Sequence, residues 1–256
     1  MMSVSVQINQ HDRVLELRMQ RPEKKNALTG EMYARMAEAL RKADDDASVR
    51  AVVIAGSDDC FTAGNDLGDF LNKPPTGSDA PVWAFLDAIS QGKKPLISAV
   101  EGLAVGIGTT LLLHCDLNYA GRSARFQLPF VRLGLCPEAA SSLLLPNISG
   151  YPLAAEALLL GHMFGAEKAV QMNILNAVLD DGQARSKALE VAAELAALPP
   201  DAVMTSRRLL RQATGRGVAQ VMQTEADEFV RLLQGPEAKE AVSAFLEKRQ
   251  ADFSRF

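Results

Sequence analysis

The sequence is poor in the residues that staple a chain or bind metal. Among 256 residues there are 3 cysteines (Cys60, Cys115, Cys136) and 3 histidines (His11, His114, His162). The cysteines are odd in number, scattered and without CxxC spacing, which argues against a disulfide framework or a zinc knuckle. Reduced thiols are expected. The histidines lack metal-ligand spacing, and no metal site is expected. Positive charge is not in excess either. With 27 Lys and Arg against 31 Asp and Glu the net charge is −4, which disfavours a general phosphate-binding surface. No run of about 18 apolar residues exists to span a bilayer. The opening stretch MMSVSVQINQHDR has no basic region followed by an apolar core, and the final SRF is not the peroxisomal SKL address. A cytoplasmic protein with no membrane and no nucleic-acid partner is expected.

What is present is an ordinary globular composition, 48% hydrophobic and 23% charged, in a chain long enough for one sizeable core. Val4, Val6 and Ile8 alternate with polar residues, and Val14, Leu15, Leu17 and Met19 follow the His11-Asp12 turn, so a hairpin is expected. Thr29 is placed to cap a helix whose apolar stripe is Met32, Met36 and Leu40. AVVIAG at 51–56 and LISAV at 96–100 are continuous apolar runs of strand length, suited to parallel strands buried on both faces. Residues 72–81 are rich in Pro and Gly and read as a mobile loop; 83–91 reads as a helix, with Trp83 as packing. EGLAVGIG reads as a turn feeding the apolar helix TTLLLHC, and LNYA and ARFQL read as strands. PEAASSLLL reads as a helix with Pro137 at its first position. From about Tyr151 the periodicity is nearly all helical. An α/β core with a helical C-terminal extension is expected.

Two glycine-rich loops follow buried strands, where α/β folds place their ligands. The first is FTAGNDL at 61–67, in which Gly64 allows close approach to its backbone. Alone it reads as a strand-to-helix turn capped by Asp66. The second, EGLAVGIG at 101–108, opens a helix whose free N–H groups favour an anion or a developing oxyanion. If the two strands are neighbours, both loops can aim N–H groups at one oxygen. Glu138 is the only carboxylate between Asp116 and Glu156 and has mostly apolar or small neighbours. Burial there raises a carboxyl pKa towards that of a general base working near neutrality. By position alone it reads as a first-turn glutamate favoured by the helix dipole. His114, Cys115 and Asp116 are adjacent but cannot all face one site, and Ser141-Ser142 lacks a GxSxG context.

RPEKKNAL, CFTAGNDL, KPLISAVEGLAVGIGTTLLLHCDLNYA and ARFQLPFVRLGLCPEAASSLLLP occur in this order. Together they resemble the crotonase, or enoyl-CoA hydratase/isomerase, superfamily over nearly the whole chain. The resemblance implies a spiral of ββα units over 1–195 and a helical trimerisation region over 196–256, assembled as a homotrimer or hexamer. Its ligands are acyl-CoA thioesters; coenzyme A enters as part of the substrate and no separate cofactor is implied. By position, the resemblance makes the N–H groups of Asn65 and Ile107 the oxyanion donors. Lys24, Lys25 and Ala27 meet the CoA adenine and phosphates. Ala63, Gly64, Asp66, Leu67, Gly106 and Phe130 belong to the binding groove. The positions of the two hydratase glutamates are filled by Thr110 and Phe130, so water addition has no carboxylate to serve it. Glu138 falls where the peroxisomal-type Δ3,Δ2-enoyl-CoA isomerases carry their single base, although Ala139 replaces the glycine common there. The expected reaction moves a double bond from C3 to C2 with Glu138 as acid and base. The alternatives are a crotonase reaction on a ring-containing or aromatic CoA ester, or a non-catalytic CoA- or RNA-binding relative. For the last, the most basic stretch, Arg207, Arg208 and Arg211 with Arg216 beyond, reads as a solvated face or a CoA-phosphate contact.

Overall fold

Strands β1 (Val6–His11) and β2 (Val14–Met19) form the expected hairpin, closed at Asp12 in the left-handed conformation (φ 50°). In the computed structural model, residues 5–72, 74, 77, 79–214 and 217–256 are described. Val4, Arg216, and Lys73, Pro75, Thr76 and Ser78 of the Pro/Gly-rich stretch lie outside the described residues. Helix α1 (Gly30–Asp45) starts where Thr29 Oγ1 accepts the Met32 N–H at 3.3 Å, and it buries Met32, Met36 and Leu40 as expected. Strands β3 (Ala51–Ala55) and β4 (Leu96–Val100) are buried at every position. With β6 (Leu117–Gly121) and β9 (Ala177–Leu179) they complete a six-stranded sheet in the order β1-β2-β3-β4-β6-β9, parallel from β2 onward.

The sheet separates two packing layers. On one face α1 and α3 (Pro81–Gln91) meet Leu15, Leu17, Val52 and Ile54, and Trp83 packs at the margin of this cluster. On the other lies α8 (Ala184–Ala197). Its stripe of Ala184, Ala188, Ala192 and Ala196 recurs every four residues and packs on Val53, Ile97 and Tyr119. Side chains this small let the helix axis approach the strands closely.

A second, three-stranded sheet runs β5-β7-β8, formed by Leu103–Val105, Arg125–Gln127 and Phe164–Gly165. Parallel bridges Thr62↔Ala104 and Leu28↔Asn65 extend its line. The chain therefore leaves β3, β4 and β6 of the large sheet and crosses each time to a short extended segment beside its neighbours. This is the ββα spiral.

Several expectations change. EGLAVGIG contains β5; the helix after it is short, α4 (Ile107–Thr110), and tightens into a 3-10 turn at Leu111–His114. The C-terminal half is not all helix, since β8 and β9 flank α7 (Ala166–Gln171). Pro137 does not begin a helix. Ala139 and Ala140 take left-handed conformations (φ 59° and 54°), and α5 (Ser141–Ser149) starts after them. Glu138 therefore lies before the helix and not in its first turn. Beyond α6 (Tyr151–Ala155) a π-helical turn, Glu156–Leu160, precedes β8. Helix α8 ends at Ala197, and α9 (Pro200–Thr214), α10 (Val218–Leu233) and α11 (Pro236–Leu246) follow. No described helix is long and apolar enough to cross a membrane.

Arg207 and Arg211 do not form a solvated face. Arg207 pairs with Asp116 at 2.6 Å and donates to the Gly92 carbonyl. Arg211 donates to the carbonyls of Ile89, Ser90 and His114. Both fasten α9 to the core; Arg208 is exposed and bonds Gln212.

Candidate active site

The adjacency of β3 and β4 (Val52↔Leu96) brings the two glycine-rich loops together. Thr62 N–H donates to the Leu103 carbonyl and Val105 N–H to the Thr62 carbonyl, at 2.8 and 3.0 Å. Gly64 (φ 90°) lies so close that a Cβ would stand 2.9 Å from the Val105 carbonyl oxygen. A side chain there strains the turn and forces the loops apart. A third segment, RPEKKNAL, is joined to the first loop. Ala63 N–H donates to the Lys25 carbonyl, Leu28 N–H to Gly64 and Asp66 N–H to Leu28, all between 2.8 and 2.9 Å.

Asn26 holds these segments in register, a residue whose role the sequence reading missed. Fully buried, it donates from Nδ2 to Ser57 Oγ and to the carbonyls of Cys60 and Phe61, and its Oδ1 accepts the Arg21 N–H at 2.7 Å. Its own carbonyl accepts the Thr62 hydroxyl at 2.7 Å. An amide with both a donor and an acceptor end is what such a node requires.

The bridge at Asn65 uses the groups on either side of it, the Gly64 carbonyl and the Asp66 N–H. Gly106 donates its N–H to Gln127 and precedes α4, which makes Ile107 the first helical residue. Among the described residues no acceptor takes the N–H of Asn65 or of Ile107. Each is therefore free for a ligand. Lys24 and Lys25 are exposed, and Ala27, Ala63 and Leu67 are half-buried around this edge. Asp66 is committed to structure: one oxygen pairs with Arg21 at 2.6 Å and the other accepts the Asp69 N–H, capping α2 (Leu67–Asn72).

Glu138 is 6% exposed, and its Oε1 is buried with no partner. Burial, helped by the negative charge of Glu225, pushes its carboxyl up to about 8. Tyr33, buried on α1, lies near enough to feel Glu138; burial first and that charge second push its phenol well above the usual value. The Tyr33 hydroxyl donates to Asn65 Oδ1. Tyr33 thus bonds the first loop at Asn65 and lies within electrostatic reach of Glu138. Thr110 is fully buried with an unpartnered hydroxyl, and Phe130 is buried. Asp69 accepts the Gly30 N–H at 2.7 Å, and Asp87 is exposed beside Arg41.

The turn carrying Glu138 is fixed from outside. His114 Nε2 meets the Ala139 carbonyl at 2.7 Å. Burial pushes the imidazole down to about 4, so it is neutral and donates from Nε2. Glu225 on α10 accepts the N–H groups of Ala140 and Ser142 at 2.6 and 2.9 Å and the Ser142 hydroxyl. His114, Cys115 and Asp116 do diverge, to Ala139, Leu111 and Arg207. No cluster of potential metal ligands occurs among the described residues.

Glu138 is thus a barely solvated carboxyl within electrostatic reach of Tyr33, which hydrogen-bonds the loop that carries the Asn65 N–H. The enoyl-CoA hydratase/isomerase family model matches residues 9–255. A solved structure, Pseudomonas aeruginosa OdaA, is 48% identical with a TM-score of 0.93, covering 95% of this chain and 99% of that one. Enoyl-CoA hydratase EchA19 of Mycobacterium tuberculosis is 34% identical, over 96% of this chain and 95% of the relative. The 1,2-epoxyphenylacetyl-CoA isomerase of Escherichia coli is 33% identical over 94% and 95%. The chain belongs to the enoyl-CoA hydratase/isomerase family of the crotonase superfamily, whose enzymes act on acyl-CoA thioesters.

Proposed function

We propose that this enzyme is a Δ3,Δ2-enoyl-CoA isomerase, nearest in mechanism to the peroxisomal-type isomerases, with Glu138 as its single acid/base. The observation that carries the reading is the buried Glu138 carboxyl, whose Oε1 has no partner, in a chain that by resemblance holds Thr110 and Phe130 at the two hydratase positions. The thioester oxygen accepts from the N–H groups of Asn65 and Ile107. Lys24, Lys25 and Ala27 hold the CoA end, and Ala63, Gly64, Leu67, Gly106 and Phe130 shape the groove. Glu138 takes the C2 proton, the two N–H groups stabilise the dienolate, and the same carboxyl returns a proton at C4. Preorganised donors of this kind contribute because charge grows on the oxygen during the step. A proton taken and given back needs no redox partner and no added water. The enzyme is taken as cytoplasmic and as a homotrimer or hexamer, which would cover exposed Phe245 and Leu246 of α11.

The test is a spectrophotometric assay with a 3-enoyl-CoA. Conversion to the 2-enoyl thioester is expected, with negligible hydration of crotonyl-CoA. Hydration as fast as double-bond migration would overturn the single-base reading. The similarity to the 1,2-epoxyphenylacetyl-CoA isomerase favours a second reading, in which the same carboxyl acts on a ring-containing CoA ester. A panel of aromatic and aliphatic esters separates the two.

A further inference from the structure

Glu225 lies outside the proton-transfer scheme, yet it is 7% exposed and bound to the turn that carries Glu138. The turn is costly in isolation, because Ala139 and Ala140 both have positive φ and each alanine in that region is strained. Two side chains fix it. His114 takes the Ala139 carbonyl from one side. From α10, Glu225 takes the Ala140 N–H, the Ser142 N–H and the Ser142 hydroxyl. Burial pushes the Glu225 carboxyl above its ordinary value, while every polar contact to that carboxyl is a donor, which pulls the other way and stabilises the ionised form.

We propose that Glu225 is a positioning residue for Glu138, fixing the turn from which Glu138 projects and supplying the negative field in which it takes up and gives back its proton. The proposal rests on the isomerase reading only for its kinetic consequence. Among the described residues, few titratable groups face Glu138. They are the Tyr33 phenol on α1, the Cys136 thiol earlier in its own loop and Glu225 on α10, with His114 neutral behind the turn. Burial holds Cys136 and Tyr33 protonated, and Glu225, whose carboxylate accepts three donors, is the neighbour whose charge acts on Glu138. Its charge opposes ionisation of Glu138 and adds to the effect of burial. A base that binds its proton more tightly is a stronger base for the weakly acidic C2 position and still releases that proton at C4.

The test is carboxyl-carbon NMR of the full chain labelled at glutamate, with Glu138 assigned through Glu138→Gln and Glu225 through Glu225→Gln. In the unaltered protein Glu225 ionises at lower pH than Glu138; a Glu225 still protonated while Glu138 titrates would overturn the proposal without any variant. In Glu225→Gln the Glu138 titration moves to lower pH by about one unit or more, and the acid limb of the kcat profile moves with it while KM holds. Glu225→Asp, which restores the charge on a shorter arm, returns the titration towards its original pH. A Glu225→Gln protein that melts earlier but titrates at Glu138 as before would make Glu225 a structural brace only. If no 3-enoyl thioester were turned over, the isomerase reading would fail while the NMR shift still decided the role of Glu225.

Discussion

Residues 62–66 are held by main-chain bonds to segments 25–28 and 103–105; residues 138–142 are held by the side chains of His114 and Glu225. The first region is joined mainly through backbone groups that nearly every residue carries, with Asn26, the Thr62 hydroxyl and the Asp66–Arg21 pair as its side-chain ties. Its weak points are positions where a side chain cannot fit. The second depends on a few side chains drawn from distant parts of the chain, and its electrostatics change with each of them. A donor site for an oxygen needs rigidity. A base needs a proton affinity that can be set, and that requires charged and buried groups nearby.

Glu138→Gln strikes the second region at its centre. It should lower kcat by about 10²–10⁴-fold with KM nearly unchanged, because the backbone donors and the CoA contacts survive. Glu138→Asp should recover only part of the rate. Steady-state kinetics showing most of the activity in Glu138→Gln would move the base elsewhere. Gly64→Ala strikes the first region where only glycine fits, at φ 90° with the Val105 oxygen 2.9 Å from the new Cβ. Displacing the Asn65 N–H should reduce kcat by roughly 10²–10³-fold, and an unaltered kcat would mean that this donor plays no part. Tyr33→Phe tests the link between the regions. Losing one neutral hydrogen bond to Asn65 should cost about 1 kcal/mol, a kcat reduction of roughly tenfold or less. A loss as large as that of Glu138→Gln would instead make Tyr33 a proton carrier.

Much of this was legible in the sequence, for reasons tied to particular residues. Strands β3 and β4 announce themselves as uninterrupted apolar runs, and Thr29 caps α1 where expected. The loops were legible because glycine at 64 and 106 serves a backbone need that persists in any context. The turn at 137–140 misled, because a proline followed by helix-forming alanines satisfies local helix signals. It is the later segment carrying Glu225, with His114, that holds Ala139 and Ala140 in left-handed conformations. Long-range contacts of that kind leave no local pattern. The same is true of β5 and β8, three- and two-residue strands formed by pairing, and of Arg207 and Arg211, whose carbonyl partners lie more than 90 residues away.

The contact between His114 and the Ala139 carbonyl places two opposed proton linkages on one turn. Glu138 is raised from 4.5 to about 8, so across that window the folded chain keeps a proton that the unfolded chain has released, and stability falls as pH rises. His114 is lowered from 6.5 to about 4, so across that window the unfolded chain takes a proton that the folded chain refuses, and stability falls as pH drops. Where the windows overlap, between 4.5 and 6.5, one proton held and one refused cancel. For this pair stability should be level across the overlap, declining on the acid side through His114 and on the alkaline side through Glu138. Melting temperatures recorded against pH check this directly. In Glu138→Gln the alkaline decline should flatten while the acid one remains.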